Sequence, residues 1–248
     1  MIATRSAAEL AIMREAGRVT AAALRAVGDA VAAGVTTGEL DEIAVEVIRA
    51  AGARAAFLGY HGFPATICAS LNREVVHGIP SRRKLASGDI LSVDVGAVID
   101  GYFGDAARTF AVGSVSKEAV RLLTATREAL EAGIACCVPG KRLGDIGAAV
   151  QKVAEDAGFS VVREYVGHGI GRAMHEDPQV PNYGTPGKGP VLLAGMVLAV
   201  EPMVNAGDSD VRQLADGWTV VTADGSLSAH FEHTVAVTEK GPWVLTVE

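Results

Sequence analysis

The spacing of apolar residues along the chain predicts helices, and polar residues beside them mark where the helices begin. Ser6 with Glu9, and Thr36 with Glu39, stand three residues apart, as in a capping box. Further helical patterns lie in the second half of the chain, the last of them ended by Gly158. The sequence therefore predicts four helices, over about residues 6–34, 37–52, 116–137 and 143–157.

Apolar and small residues between Ile90 and Val112 predict two strands joined at Asp100 and Gly101. An Asp-Gly pair between two such runs is a strong signal for a tight β-hairpin. The segment 57–76 is expected to contain strand and loop. Other strand candidates lie at 159–166, 196–204, 217–221 and 231–237.

The chain contains an internal repeat. The tripeptide His-Gly-Ile occurs at 77–79 and again at 168–170, after a pair of predicted helices in each case. Farther on, GDILSVD (88–94) matches GMVLAVE (195–201), glycine to glycine and acid to acid. Several matches in the same order indicate an ancient duplication.

The duplication predicts how the chain is organised. We expect a single catalytic domain, residues 1–248, built from two halves of roughly 1–113 and 114–248 that a pseudo-two-fold axis relates. Each half would supply helices and antiparallel strands, and no long linker divides the chain. The expected fold class is α+β, with helices packed on one face of a curved antiparallel sheet.

The composition is that of an ordinary globular protein, with 248 residues, 49% hydrophobic and 21% charged. A formal net charge of −7 argues against a DNA-binding protein, because such proteins usually carry a basic excess. The N-terminal segment lacks the apolar run of a signal peptide, and no run approaches the roughly 20 residues that span a bilayer. Cys68 and the adjacent pair 136–137 form a poor disulfide framework. We therefore expect a cytoplasmic protein with no membrane partner. A monomer is the default expectation, since the sequence does not indicate an oligomeric state.

Two aspartates in the predicted hairpin require compensation. With Asp100 and Gly101 as a two-residue turn, Asp94 lies opposite Ala107, and alternation puts Asp105 on the same face as Asp94. Their backbones would be diagonal neighbours, roughly 7–8 Å apart. A shift of one residue in the turn would put them on opposite faces. Because a lone buried carboxylate costs several kcal/mol, the two together are expected to bind cations.

Three further side chains extend this pair into a candidate metal site. The repeat places Glu201 at the position equivalent to Asp94, and Glu232 lies in a C-terminal strand candidate. His168 stands on a glycine-rich bend, where the backbone can approach a ligand closely. Taken alone, each of these residues is more often a surface, capping or structural residue. Together, the four carboxylates carry four negative charges, which two divalent cations would neutralise.

The order of these residues along the chain carries a family resemblance. Asp94, Asp105, His168, Glu201 and Glu232 resemble the metal-ligand set of the pita-bread metallopeptidases. Within that group, six stretches spread almost from end to end of the chain are similar to type I methionine aminopeptidases. They are GYHGFPATICAS (59–70), NREVVHGIP (72–80), VREYVGHGIGRAMHEDPQV (162–180), EPMVNAG (201–207), DGWTV (216–220) and FEHTVAV (231–237).

The resemblance implies a fold, a reaction and a set of ligands. It implies the pita-bread fold and removal of the initiator methionine from nascent polypeptides when the next residue is small. Two divalent ions (Co, Mn, Fe(II) or Zn) would be bound. Asp94 would chelate one ion, and Asp105 and Glu232 would bridge both. His168 and Glu201 would complete the shell of the other ion, and a bridging hydroxide would attack the first peptide bond.

The resemblance also implies catalytic and substrate-binding roles. Glu201 would act as general base, taking the water proton and passing it to the leaving amine. His175 would stabilise the developing oxyanion, and His77 would meet the substrate amide nitrogen. The apolar pocket for the methionine side chain would be lined by Tyr60, Phe63, Cys68 and Trp218, with His77 and His175 also contacting the substrate.

Three positions depart from the usual pattern of the family. Met174 stands where an aromatic residue is expected, Phe57 where a small cysteine is common, and His230 where a glutamine is frequent. None of the three removes an expected ligand. They therefore bear on substrate selectivity and leave the expected chemistry unchanged.

Two alternatives stay open. An Xaa-Pro dipeptidase could use the same scaffold, although EPMVN (201–205) and the missing extra N-terminal domain speak against it. A catalytically inactive relative could only bind nascent chains or ribosomes, but it should have lost some of the five ligands. The basic stretch 82–84 is expected to be a solvated loop, with a transient contact to ribosomal RNA as the alternative.

Overall fold

The computed structural model describes residues 2–247. The helices are α1 (Ala7–Ala30), α2 (Thr37–Ala50), α3 (Lys117–Ala135) and α4 (Leu143–Asp156), with a 3-10 turn at Tyr60–Gly62. Both predicted capping boxes form: the Ser6 and Thr36 side chains accept the backbone N–H groups of Glu9 and Glu39, whose carboxylates bond back. None of the described helices is long and apolar enough to cross a membrane.

The strands range from two to ten residues in length. They are β1 (Arg54–Ala55), β2 (Ile67–Leu71), β3 (Glu74–Val76), β4 (Ile90–Ile99), β5 (Tyr102–Ala111), β6 (Ser160–Val161), β7 (Gly167–Gly169), β8 (Glu176–Val180), β9 (Val197–Val200), β10 (Met203–Asn205), β11 (Val211–Gln213), β12 (Val220–Thr222), β13 (Ser228–His230), β14 (His233–Thr238) and β15 (Gly241–Val244).

The strands pair into small sheets, and the pairs are antiparallel throughout the described chain. One sheet has β4 paired with β5, β1 and β2, and a second has the order β15-β14-β9-β7-β8. Two smaller sheets have the orders β13-β10-β6 and β11-β12-β3. The predicted α+β class with antiparallel strands is confirmed.

The β4–β5 hairpin has the predicted turn and register. Asp100 and Gly101 have φ angles of 48° and 77°, as a two-residue turn of the primed type requires. Asp94 pairs with Ala107, and Asp105 pairs with Gly96. Asp94 and Asp105 are therefore diagonal neighbours on one face, as predicted.

Two buried threonines fasten β5 to the segment that contains β13 and β14. The Thr109 hydroxyl donates to the His230 carbonyl at 2.9 Å and accepts the His230 N–H at 2.8 Å. The Thr234 hydroxyl likewise donates to the Asp105 carbonyl at 2.8 Å and accepts the Asp105 N–H at 3.0 Å. These reciprocal bonds fix the backbone of Asp105 beside the segment that contains Glu232.

Each pair of helices covers its own apolar core. Leu40, Ile67 and Val93 belong to a core that joins α1 and α2 to β2 and β4. Leu122 and Leu198 belong to a second core, which joins α3 and α4 to β9 and its neighbours. The same succession of two helices and antiparallel strands thus occurs twice along the chain, in keeping with the predicted duplication.

Several strand predictions were wrong in their bounds. The candidate at 159–166 is a strand only at Ser160–Val161, and the candidates at 217–221 and 231–237 shift to Val220–Thr222 and His233–Thr238. The candidate at 196–204 is interrupted at Glu201 and Pro202. Because proline has no N–H to donate, the strand stops where Glu201 has to leave the ladder.

Candidate metal centre and substrate pocket

The five predicted ligands line one cavity of about 410 Å³. Asp94 lies on β4, Asp105 on β5 and His168 on β7. Glu201 immediately follows β9, and Glu232 immediately precedes β14. The Nε2 atom of His168 is 3.4 Å from Oε1 of Glu201 and 4.0 Å from Oδ2 of Asp105. The fold therefore brings together residues that lie far apart in sequence.

His168 lies in a short strand, not on the predicted bend. A Cβ at Gly167 would lie 2.3 Å from the Ala199 carbonyl oxygen, and one at Gly169 would lie 2.2 Å from that of Asp177. The two glycines thus let β8 and β9 close around the imidazole. The Nδ1 atom of His168 lies 2.9 Å from the Gly169 carbonyl oxygen. In the tautomer that donates this bond, the Nε2 lone pair is free to bind a cation.

The carboxylates of the site lie in an environment that favours their neutral, protonated form. Burial raises the pKa of Asp94 to about 7. Burial first, and the charge of neighbouring carboxylates second, raise the pKa of Asp105 and Glu232 well above the ordinary range. Burial also raises the pKa of Glu201 and lowers that of His168 to about 4. Bound divalent cations would instead favour the ionised carboxylates and lower their pKa values.

The donor atoms fit a metal centre. Three buried oxygens, Oδ1 of Asp94, Oδ1 of Asp105 and Oε1 of Glu232, have no hydrogen-bond partner within the described chain. Donor atoms of Asp105, His168 and Glu232 lie within 4.8 Å of one another. A second triad of Glu201, His230 and Glu232 meets the same limit. Because buried polar atoms are nearly always partnered, these oxygens are suited to divalent cations.

The predicted substrate-binding residues line the same cavity. The Phe63 and Trp218 rings meet edge to face, with centroids 5.1 Å apart. The lining also contains Tyr60, Cys68, His77 and His175, and the departures Phe57 and Met174. Phe57 and Met174 pack in one buried apolar cluster with Phe63 and Cys68. The apolar side of the cavity, here called the apolar wall, contains Phe63, Cys68 and Trp218 and lies beside the carboxylates.

Two further histidines, His77 and His175, line the cavity together with the apolar residues and the carboxylates. The His175 ring is 4.2 Å from the His168 ring, and its Nδ1 lies 2.7 Å from the Tyr60 hydroxyl. The His77 ring lies edge-on to Tyr165 and Trp218, at 5.8 and 6.5 Å. Burial lowers the pKa of His77 to about 4 and also lowers that of His175. Both imidazoles are therefore neutral near pH 7, and each can donate one N–H.

Among the residues that line the cavity, sequence reasoning did not single out His61, Val76, Tyr165, Val166 and Met203, and it named His230 only as a departure from the family pattern. All of them lie within three residues of an assigned residue: His61 follows Tyr60, Val76 precedes His77, Tyr165 and Val166 precede His168, Met203 follows Glu201, and His230 precedes Glu232. Because side chains alternate along a strand, Met203 and His230, two residues from Glu201 and Glu232, could have been predicted to face the cavity as well. His61 has a positive φ of 47°, which sequence alone did not indicate.

Buried carboxylates beside an imidazole, opening onto an apolar cavity in an antiparallel α+β fold, define the class of protein: a metal-dependent hydrolase. The comparison with protein families makes this class specific. Metallopeptidase family M24 matches residues 11–239, and the chain belongs to this family.

Individual relatives agree with this assignment. A methionine aminopeptidase of Clostridium acetobutylicum is 52% identical over 248 residues, which cover 100% of this chain and 99% of that protein. The crystal structure of a methionine aminopeptidase from Thermotoga maritima matches with a TM-score of 0.98 and 48% identity over 100% of both chains. A prolidase from Pyrococcus furiosus shares the fold, with a TM-score of 0.77 and 20% identity over 99% of this chain and 65% of that one. The predicted pita-bread fold and family resemblance are confirmed.

Proposed function

We propose that this protein is a methionine aminopeptidase, which removes the N-terminal methionine of proteins when the next residue is small. The observation that carries the proposal is the convergence of Asp94, Asp105, His168, Glu201 and Glu232 in one cavity. The named relatives, which match over the whole chain, support the same activity.

The metal centre would hold two divalent cations. Asp94 would bind one, His168 and Glu201 the other, and Asp105 and Glu232 both. The triad of Asp105, His168 and Glu232 and the unpartnered oxygens support this assignment. When bound, such cations lower the pKa of a water molecule and polarise the substrate carbonyl. An oxygen-rich donor set with imidazole suits Co, Mn, Fe(II) or Zn.

The protein's own groups would carry the proton transfers. Glu201 would accept the proton of the attacking water and deliver it to the leaving amine. With Tyr60 donating to Nδ1, the neutral His175 keeps its proton on Nε2 and can donate it to the developing oxyanion. His77, held between Tyr165 and Trp218, would meet the amide nitrogen of the scissile bond.

The apolar wall would select the first side chain of the substrate. Phe63, Cys68 and Trp218 offer a surface that an unbranched, polarisable thioether can fill. Tyr60 contributes its ring to the same wall, and its hydroxyl is engaged with His175. The methionine side chain would pack on this wall, and the scissile bond would lie beside the carboxylates.

We propose one catalytic domain whose site needs both predicted halves. Residues 1–113 supply Asp94 and Asp105, and residues 114–248 supply the other three ligands. The bonds of Thr109 and Thr234 between the halves support this organisation. We further propose that the protein acts as a monomer on nascent chains in the cytoplasm. The stretch 82–84 is exposed, and Arg83 pairs with Glu74 at 2.7 Å, which favours a solvated loop over a ribosome contact.

Peptide cleavage separates this function from its two competitors. Protein loaded with Co²⁺ should release methionine from Met-Gly-Met and should hydrolyse Ala-Pro far more slowly. Faster hydrolysis of Ala-Pro would instead favour the Xaa-Pro dipeptidase. Metal-loaded protein that cleaves neither peptide would favour the inactive binding protein.

A further inference from the structure

We propose that His230 is an additional ligand of the metal centre, binding through Nε2 the cation that Glu201 and Glu232 contact. This inference rests on the proposed metal centre and adds a second imidazole to its donor set. The sequence motifs assign His168 as the imidazole ligand and give His230 no role as a ligand.

The imidazole of His230 is buried, and one of its nitrogens makes no hydrogen bond. The residue is 1% exposed, and its Nε2 atom has no hydrogen-bond partner in the described part of the chain. A buried ring nitrogen in that state loses its hydration without compensation. A bound cation would supply the missing interaction.

The distances suit coordination. His230 Nε2 lies 3.6 Å from Oε2 of Glu201, and donor atoms of His230, Glu201 and Glu232 fall within 4.8 Å of one another. With metal–ligand bonds of about 2.1 Å, two donor atoms of one cation lie at most about 4.2 Å apart. The Glu201–His230 separation already meets this limit, and rotation of a side chain would complete the triad.

The backbone of His230 is fixed so that its ring enters the site. Its N–H and carbonyl both bond to the Thr109 hydroxyl, at 2.8 and 2.9 Å. In the ladder of β13 and β10, His230 pairs with Met203, which also lines the cavity. These restraints fix the backbone from which the ring enters the cavity, which lowers the entropic cost of metal binding.

A second nitrogen donor would change which metals the centre prefers. Imidazole favours Co, Zn and Fe(II), whereas carboxylate and water favour Mn and Mg. Replacing His230 by glutamine, the residue frequent at this position in the family it resembles, should therefore weaken Co²⁺ binding more than Mn²⁺ binding. A role limited to hydrogen bonding with Glu201 would affect both metals alike.

Proton NMR of the Co²⁺-loaded protein tests the assignment. An imidazole bound to Co²⁺ gives a strongly shifted N–H resonance that disappears in D₂O. We expect two such resonances in the wild type, from His168 and His230, and one in His230→Gln. In the control His233→Gln, two should remain, because His233 Nδ1 lies 2.9 Å from Thr246 and the ring does not line the cavity. Calorimetry should show Co²⁺ affinity at least about tenfold weaker in His230→Gln.

The possible results separate this inference from the proposed function. A single shifted resonance in the wild type, in protein that binds two Co²⁺ ions and cleaves Met-Gly-Met, would overturn the role of His230 alone. Two resonances retained in His230→Gln would overturn it as well. Wild-type protein that binds no Co²⁺ would overturn the metal centre and this inference together. The number of shifted N–H resonances in the wild type decides the question even if His230→Gln does not fold.

Discussion

The hydroxyl of Tyr60 lies 2.7 Å from Nδ1 of His175, and the His175 ring lies 4.2 Å from that of His168. Tyr60, which lines the cavity, is thereby joined to a histidine beside the proposed metal ligands. When the Tyr60 hydroxyl donates this bond, His175 keeps its proton on Nε2, where it is available to the substrate.

Tyr60→Phe keeps the ring but removes the hydroxyl that orients His175. We expect kcat on Met-Gly-Met to fall roughly fivefold, since a net hydrogen bond contributes about 1 kcal/mol. Co²⁺ affinity, measured by calorimetry, should not change. Tyr183→Phe is the control, because Tyr183 packs on Arg163 away from the cavity. An equal effect of both substitutions would contradict the role of Tyr60.

Glu201→Gln removes the proposed general base while nearly keeping its shape. We expect kcat to fall by about 10²- to 10⁴-fold, the usual contribution of such a group. Circular dichroism and bound-metal analysis should accompany the kinetics, since Glu201 is also a proposed ligand. Glu155→Gln, at an exposed position of α4, should leave kcat unchanged. Unchanged activity of Glu201→Gln would refute the proposed proton transfer.

Trp218→Ala should weaken substrate binding through loss of the apolar wall. Trp218 meets Phe63 edge to face at 5.1 Å, so truncation exposes that ring as well. We expect kcat/KM for Met-Gly-Met to fall roughly 5- to 30-fold, equivalent to about 1–2 kcal/mol of apolar contact. The matched control is Trp243→Ala, because Trp243 is 39% exposed on β15. Loss of the same size in both variants would argue against the pocket assignment.

The hairpin shows how far local signals determine this fold. The turn at Asp100 and Gly101 needs only two residues with positive φ, and it sets the register that places Asp94 and Asp105 on one face. The repeat then indicates Glu201 from the matching segment. These features could be predicted because turn chemistry and alternation act over a few residues.

Long-range packing explains what the sequence did not predict. The inward position of His230 depends on Thr109, which lies in another strand far away in sequence. The strand at His168 forms although glycine disfavours strands, because Gly167 and Gly169 admit neighbouring backbones too close for a Cβ. In both cases tertiary contacts override the local preference.

In the metal-free protein, ionisation of a buried carboxylate should lower the free energy of unfolding as the pH rises. Burial raises the pKa of Asp94 in the folded state from 3.8 to about 7. A raised pKa contributes stability below the unfolded-state value, and that contribution is lost as pH rises through the folded-state value. The free energy of unfolding of the wild type, minus that of Asp94→Asn, should therefore fall between about pH 4 and pH 7.

Denaturant unfolding of both metal-free proteins across this range is the measurement. The buried histidines have lowered pKa values and contribute the opposite slope, but they titrate in both proteins, so the difference largely cancels them. Saturating Co²⁺ should abolish the fall, because the cation compensates the ionised carboxylates. A difference that rises with pH in metal-free protein would contradict the assigned burial of Asp94.

The most direct test of the central claim, a peptidase site built on these carboxylates, is a Co²⁺ titration of metal-stripped protein. Bound metal and release of methionine from Met-Gly-Met would be followed in the same samples under anaerobic conditions. We predict no cleavage by the stripped protein, and cleavage that rises with bound metal until two ions are held per chain. Full activity in the stripped protein, or saturation with Co²⁺ without cleavage, would contradict the proposed function.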